Sequence, residues 1–310
     1  MKWTGNLRPV FRILVIITGI SMLVQACSSG PTQYRETTVS GTIHISVDES
    51  FKPVIDSQIQ VFESQHPDAR IIVNYKPEAE CLRDLNVDSV RMVIVTRGLS
   101  AEEERTLRSK LSFKPAYGPI AYDAVAVIVN NQVKDTTFTM QDIRSIAKGT
   151  SGFKYKMLLD GTSATSTVRF VRDSLLRGEP LSSNVVAADS SEAVIDYVSK
   201  NTDAIGLIGV SWIGNRDDTT QLSFLEKVKI AKIECRGCTG TYVDPVQYNI
   251  ATARYPMIRP LYYILKENFN GLGSGFTNFL IYEKGQKIFY RAYLLPARMN
   301  FEVRKMQIDD

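Results

Sequence analysis

Residues Thr162-Ser163-Ala164-Thr165-Ser166-Thr167 set six hydroxyl-bearing or small side chains in a row, followed by Val168-Arg169 and an amphipathic helical pattern. One helix cap needs a single such residue. Hydroxyls donate hydrogen bonds without adding charge, and the free N–H groups and dipole of a helix N-terminus favour anions. The chemistry implied is the capture of an oxyanion taken out of water, with hydroxyls of this run as donors and Arg169 projecting from the first helical turn; a flexible, solvated loop is the plainer alternative. A surface salt bridge would serve Arg169 equally well. Asp48-Glu49-Ser50-Phe51, between a strand and a helix, is a second place of this kind, although Ser50 alone also reads as an ordinary cap.

Other chemistries find less support. Serine triads and most metallohydrolases need histidine, and only His44 and His66 exist. His44 lies in mid-strand between Ile43 and Ile45; His66 precedes Pro67 in a turn. Neither has an HxxxH, GxSxG or DxD neighbour, so no catalytic residue, metal site or cofactor is expected. Asp217-Asp218 and Glu102-Glu103-Glu104 read as solvated faces. Cys235-Arg236-Gly237-Cys238 has CxxC spacing, but there is no second CxxC to complete a four-cysteine zinc site. It leads into the turn residues Thr239-Gly240-Thr241 and not into the helix a thioredoxin-like role requires. A loop disulfide is the preferred reading, which leaves Cys81 odd.

The elements that must position these residues belong to a chain of 310 residues, long enough for two lobes. At 44% hydrophobic and 23% charged it can bury a large core, which excludes a disordered chain. The net charge of +4 owes three units to Lys2, Arg8 and Arg12. Without residues 1–26 there remain 34 basic and 33 acidic side chains, so bulk charge implies no nucleic-acid partner. Those residues form a positive start followed by an apolar run, Ile13 to Val24, too short to span a bilayer comfortably. The run ends in Leu23-Val24-Gln25-Ala26-Cys27, which resembles the lipobox of bacterial lipoproteins. That resemblance implies a signal peptide over 1–26, lipidation of Cys27, membrane anchoring through several acyl chains, and a polar tether over 27–40 outside the cytoplasm.

Beyond the tether the pattern alternates. Thr42 to Val47 reads as a strand, and about Phe51 to Glu63 as a helix with Val54, Ile55, Ile59 and Phe62 at helical spacing. Strands follow at Ile71 to Tyr75 and Val90 to Thr96. Ser100 to Glu103 is a capping box. Tyr122 to Val129 is a strand, helices begin near Thr139 and Ser190, and further strands lie at Ile205 to Val210, Lys229 to Ile233 and Leu261 to Leu265. Two helices close the chain, at Gly275–Ile281 and Lys284–Tyr293. Repeated βαβ grammar predicts an α/β fold built on parallel strands.

Four stretches, in order, resemble the phosphate-binding lipoproteins (PstS type) of bacterial phosphate ABC transporters. They are Asp160-Gly161 with the hydroxyl run, Ala204-Ile205-Gly206-Leu207-Ile208-Gly209-Val210-Ser211, Tyr255-Pro256-Met257-Ile258-Arg259-Pro260-Leu261-Tyr262, and Phe276 to Leu280 with Glu283 to Ile288. The resemblance implies a two-lobed type II periplasmic binding protein with the ligand cleft between lobes. Lobe 1 would be 41–117 with 247–310, and lobe 2 would be 118–246. It implies a monomer that is not an enzyme, capturing inorganic phosphate and delivering it to ABC permease subunits. The family's Thr/Ser-Phe donors fall on Ser50 and Phe51, and its Ser-Gly-Thr donors on Thr165, Ser166 and Thr167, or on Thr162 and Ser163.

Three departures accompany these matches. The family's Gly-Ser-rich second loop reads Lys76-Pro77-Glu78-Ala79-Glu80-Cys81 here. Its arginine before Asp-Gly falls on Leu158, so Arg97 and Arg169 are expected to restore the charge. Its carboxylate, which accepts the proton of bound phosphate, falls on Thr96. Among Asp48, Glu49, Glu78 and Glu80, Glu49 is the expected substitute, being nearest in sequence to a matched donor. A binding protein for another oxyanion (sulfate, molybdate), or a ligand-free adaptor or sensor, is the alternative.

Overall fold

Hydrophobic runs at β-strand spacing become one mixed sheet in the computed structural model, which describes residues 36–298 apart from 135, 153, 162–164 and 216. Its principal strands are β1 (Gly41–Asp48), β2 (Ala69–Lys76), β3 (Val90–Val95), β4 (Ala116–Asn130), β6 (Lys156–Asp160), β7 (Val185–Ala188), β8 (Ala204–Gly209) and β12 (Ile258–Leu265). They lie in the order β2-β1-β3-β12-β4-β8-β6-β7. The outer parts are parallel: β1 with β2 and β3, and β6 with β7 and β8. The middle differs from the expected all-parallel arrangement, because β12 runs antiparallel to both β3 and β4, and β8 antiparallel to β4.

The 15-residue strand β4 is longer than the apolar stretch Tyr122 to Val129. Residues 116–124 pair with β12, and Val125 to Val129 pair with β8. One strand thus passes from the first half of the sheet into the second. The stretch Lys229 to Ile233, expected as one strand, divides into β9 (Val228–Ile230) and β10 (Lys232–Glu234). β9 pairs with β4, while β10 joins a small sheet with β5 (Thr137–Phe138) and β11 (Tyr242–Val243). Ala231 between them gives its N–H to Val127, so the chain turns out of one sheet and into another.

Helix α1 (Lys52–Gln65) continues a one-turn 3-10 segment, Glu49–Phe51, and buries Val54, Ile55, Ile59 and Phe62 as their spacing predicts. The short helix α2 (Glu78–Arg83) occupies the divergent second loop. Helix α3 (Ala101–Leu111) opens with the full capping box of Ser100 and Glu103, and α4 (Met140–Lys148) with a second made by Thr139 and Asp142. Such boxes satisfy two otherwise unpaired N–H groups. Helix α5 (Ser166–Phe170) follows the hydroxyl run and passes into a π-helical turn, Val171–Leu175. Helix α6 (Ser191–Lys200) covers β8, with Ser190 as its cap.

Cys235 and Cys238 form a disulfide in the loop between β10 and β11, and Cys81 is a buried free thiol. Among the described residues no helix is long and apolar enough to cross a membrane. The signal sequence, Cys27 and most of the tether lie outside the described residues.

Candidate functional site

The C-terminal ends of β1 and β6 bring the two expected donor sets together. Ser50, at the start of the helix after β1, donates to Asp160 Oδ2 at 2.9 Å; Asp160 is the last residue of β6. Ser166 Oγ, on the first turn of α5, lies 3.4 Å from Ser50 Oγ. Ser50, Ser166 and Thr167 are all completely buried. The tight approach depends on Gly161, whose φ of 84° favours glycine and where a Cβ would come within 2.2 Å of Thr165 Cγ2.

Arg259 binds these donors together, and only its place inside a quoted sequence motif drew attention to it beforehand. It lies in β12 directly opposite Asp123 of β4. Its Nε donates to Asp123 Oδ2 at 2.8 Å, and its Nη1 to Ser166 Oγ at 2.8 Å and Thr167 Oγ1 at 3.1 Å. The guanidinium lies over the Phe51 ring, 4.9 Å from the centroid, a contact worth roughly 0.5–2 kcal/mol. Gly209 makes room for it: a Cβ there would stand 2.9 Å from Arg259 Nη2. The legible signal was charge in an apolar strand. Asp123 and Arg259 are each the one charged residue in their stretch, Tyr122 to Val129 and Ile258 to Leu265, and a lone charge in a core strand must find a partner.

A second cluster adjoins the first. Glu78 of α2 accepts from Thr96 N at 2.8 Å and Thr96 Oγ1 at 2.6 Å. Arg169 Nε reaches Glu78 Oε2 at 2.5 Å, and Arg169 Nη2 donates to Thr96 Oγ1 at 2.6 Å. The divergent second loop therefore carries a carboxylate to the side of Thr96. Arg169, from the second half of the sheet, crosses to residues of the first.

Acids outnumber cations here. Asp48, Asp123 and Asp160 are fully buried and Glu78 is 1% exposed, against Arg259 and the partly exposed Arg169. Burial and then the Glu78 charge push Asp48 up to about 7, although Arg259 opposes them. Burial likewise raises Asp160 and Asp123, against the pull of Arg259. Burial also works against the Glu78 carboxylate, but hydrogen bonds and charge from Arg169, with Thr96, outweigh it and hold its pKa below the ordinary value. Asp123 is matched by Arg259 and Glu78 by Arg169, which leaves Asp48 and Asp160 without a cation of their own.

Several expected residues stand apart. Arg97 turns to Glu103, with Nη1 and Nη2 each 2.7 Å from a carboxylate oxygen. Thr165 is spent on structure: its hydroxyl donates to Asp160 O at 2.8 Å and accepts from Val168 N at 3.2 Å as the cap of α5. Half-buried Glu49 sits at the rim beside Gly161, its pKa raised by burial and then by Asp160. Thr162 and Ser163 fall outside the described residues.

The profile of the PBP (periplasmic binding protein) superfamily domain matches residues 32–284. Among curated proteins, the chain is 20% identical to the phosphate-binding protein PstS of Staphylococcus epidermidis, over 95% of this chain and 90% of the relative. It is also 20% identical to PstS of Pseudomonas aeruginosa, over 91% and 92%. A Clostridium perfringens structure with bound phosphate, assigned as a phosphate ABC transporter substrate-binding protein, superposes with a TM-score of 0.68 at 21% identity, covering 83% of this chain and 100% of that one. An ABC-type phosphate transport receptor from Vibrio cholerae gives 0.62 at 19%, with the same coverage. At these identities the solved structures establish the fold, a mixed α/β sheet in two lobes. With the superfamily profile running through most of its length and the same fold in both structures, the chain belongs to the PBP superfamily.

Proposed function

We propose that the protein is an extracytoplasmic binding protein that holds inorganic phosphate between its two lobes and delivers it to an ABC permease. The lobes are taken as 41–117 with 247–310, and 118–246, and the protein as a monomer tethered to a membrane through lipids on Cys27. One observation carries the reading. Ser50, Ser166, Thr167 and Arg259, drawn from three distant stretches of chain, converge on one buried point. Donors from both lobes are satisfied together only when the lobes close, so an anion between them shifts the population toward the closed state. The names of the relatives and the bound phosphate of the C. perfringens protein support phosphate as that anion.

Calorimetric titration of refolded, ligand-free protein with phosphate, and with sulfate as competitor, tests this reading. Replacing Ser166 or Thr167 by alanine should cost roughly 1.5–3 kcal/mol, about ten- to a hundredfold in affinity. The double alanine should bind almost nothing while staying folded; unchanged affinity in that variant would move the site elsewhere. For the anchor, Cys27→Ser should release the protein from membranes or stop its signal from maturing. A Cys27→Ser protein still membrane-bound, with the signal removed and no acyl chain, counts against lipidation.

A second reading rests on the partners the donors already have. Ser50 gives its proton to Asp160, and Arg169 is engaged by Glu78 and Thr96. Donors engaged in this way suit an adaptor that has dispensed with its ligand. Absence of phosphate and sulfate binding in the titration would favour it.

A further inference from the structure

The Ser50 hydroxyl carries one proton, and that proton goes to Asp160 Oδ2. An anion that takes it leaves that oxygen the Ser191 hydroxyl, at 3.0 Å, with the Thr167 hydroxyl also near the carboxylate. Asp160 Oδ1 and Asp48 Oδ2 are buried and make no well-formed hydrogen bond among the described residues, and the nearby Thr167 and Ser166 hydroxyls give the two carboxylates weaker support. Asp48 Oδ1 already accepts from Ser50 N at 3.2 Å. The two carboxylates without a cation of their own are therefore also the two with an oxygen in need of a donor, and they flank the Ser50–Ser166 contact from opposite lobes. A buried acceptor without a donor is expensive, and a buried charge without a partner more so. A fully deprotonated oxyanion would add lone pairs to both.

We propose, building on the phosphate reading above, that the site takes phosphate carrying two hydrogens, with Asp48 and Asp160 accepting its two P–OH groups. Ser50, Ser166 and Thr167 then donate to the remaining oxygens, and every hydrogen bond lost on ligand entry is replaced. The other charged and titratable groups facing these acids fit the assignment. Asp48 is faced by Glu78, Arg259 and Asp160 and adjoins the buried Cys81 thiol; Asp160 is faced by Arg259 and by Glu49 at the rim. Arg259 is already matched by Asp123 and Glu78 by Arg169. A dianion would face a surplus of negative charge, whereas a monoanion with two hydrogens brings the donors that the acids need. Above neutrality free phosphate is mostly the singly protonated dianion, so each binding event must draw one proton from solution.

Calorimetric titration of the full chain with inorganic phosphate, in two buffers of different ionisation enthalpy, tests this directly. Between about pH 7.5 and 9 the apparent Kd should rise about tenfold per pH unit, with close to one proton taken up per phosphate bound. Asp48→Asn, which supplies an amide donor where the carboxylate needed one, should flatten that slope. It should bind phosphate at least about tenfold more tightly than wild type near pH 9. Should the variant fail to fold, the buffer dependence of the wild-type heat decides alone. Affinity that is constant or rises with pH, with equal heats in both buffers, overturns the inference and leaves the phosphate reading standing. Proton uptake undiminished in folded Asp48→Asn and Asp160→Asn overturns the assignment of the acceptors. No phosphate binding at any pH removes both the inference and the phosphate reading.

Discussion

Arg259→Ala should destabilise the fold by about 3–5 kcal/mol and abolish phosphate binding, because it strips a buried carboxylate of its partner. Asp123 is completely buried and receives Arg259 Nε at 2.8 Å; without the guanidinium its charge faces only backbone N–H groups, of Val210 at 3.2 Å and of Ala124. Ser166 and Thr167 lose their shared donor in the same step, and Phe51 loses the cation over its ring. Two effects are mixed in that variant, and a second variant separates them. Arg259→Met with Asp123→Asn removes both charges while keeping an acceptor for Val210 N. It should recover most of the lost stability, since replacing a buried pair by neutral groups of similar volume is often close to neutral. Phosphate binding should stay absent. Urea denaturation and calorimetry on the two variants check this. Phosphate binding at wild-type strength in the double variant would show that Arg259 holds the sheet together but does not organise the donors.

In the absence of phosphate, stability should fall as pH rises from about 4 to 7, the reverse of the usual behaviour of paired carboxylates. Asp48 titrates at about 7 in the folded protein, lifted by burial and by Glu78, and near ~4 in the unfolded chain. Between those values the native state holds a proton that the unfolded state releases. The favourable contribution is complete below the unfolded value and is lost as pH climbs through the folded one. The total change is on the order of 4 kcal/mol for this residue, and Asp160 and Asp123, both raised by burial, act in the same direction. Glu78, held low by Arg169 and Thr96, acts in the opposite direction in a more acidic window. Asp48→Asn keeps an oxygen for Ser50 N and cannot ionise, so its urea midpoint should change far less over this range. A wild-type midpoint that rises steadily from about pH 4 to 7 would contradict the buried, cation-free state of Asp48.

The sequence by itself determined the parts whose causes are local. Ser100 with Glu103 and Ser190 before an apolar helix face needed only neighbours within a turn to define their helix starts, and both do so. The apolar runs became strands because side-chain alternation and β-branched packing are short-range properties. Ser50, Ser166 and Thr167 were legible as hydroxyls at helix starts, because that too is a local arrangement.

Tertiary structure decided which charges meet. Asp123 and Arg259 stand 136 residues apart and face each other only through the antiparallel register of β4 and β12. Glu78 reaches Thr96 because the divergent loop winds into a short helix, and Arg169 reaches both from the first turn of α5. Arg97, next to Thr96 in sequence, is carried away to Glu103. Alternation decides which face of a strand a residue occupies, but the register against a distant strand decides its partner. For buried charges the partner is what matters, because desolvation makes an unpaired carboxylate costly and a paired one tolerable.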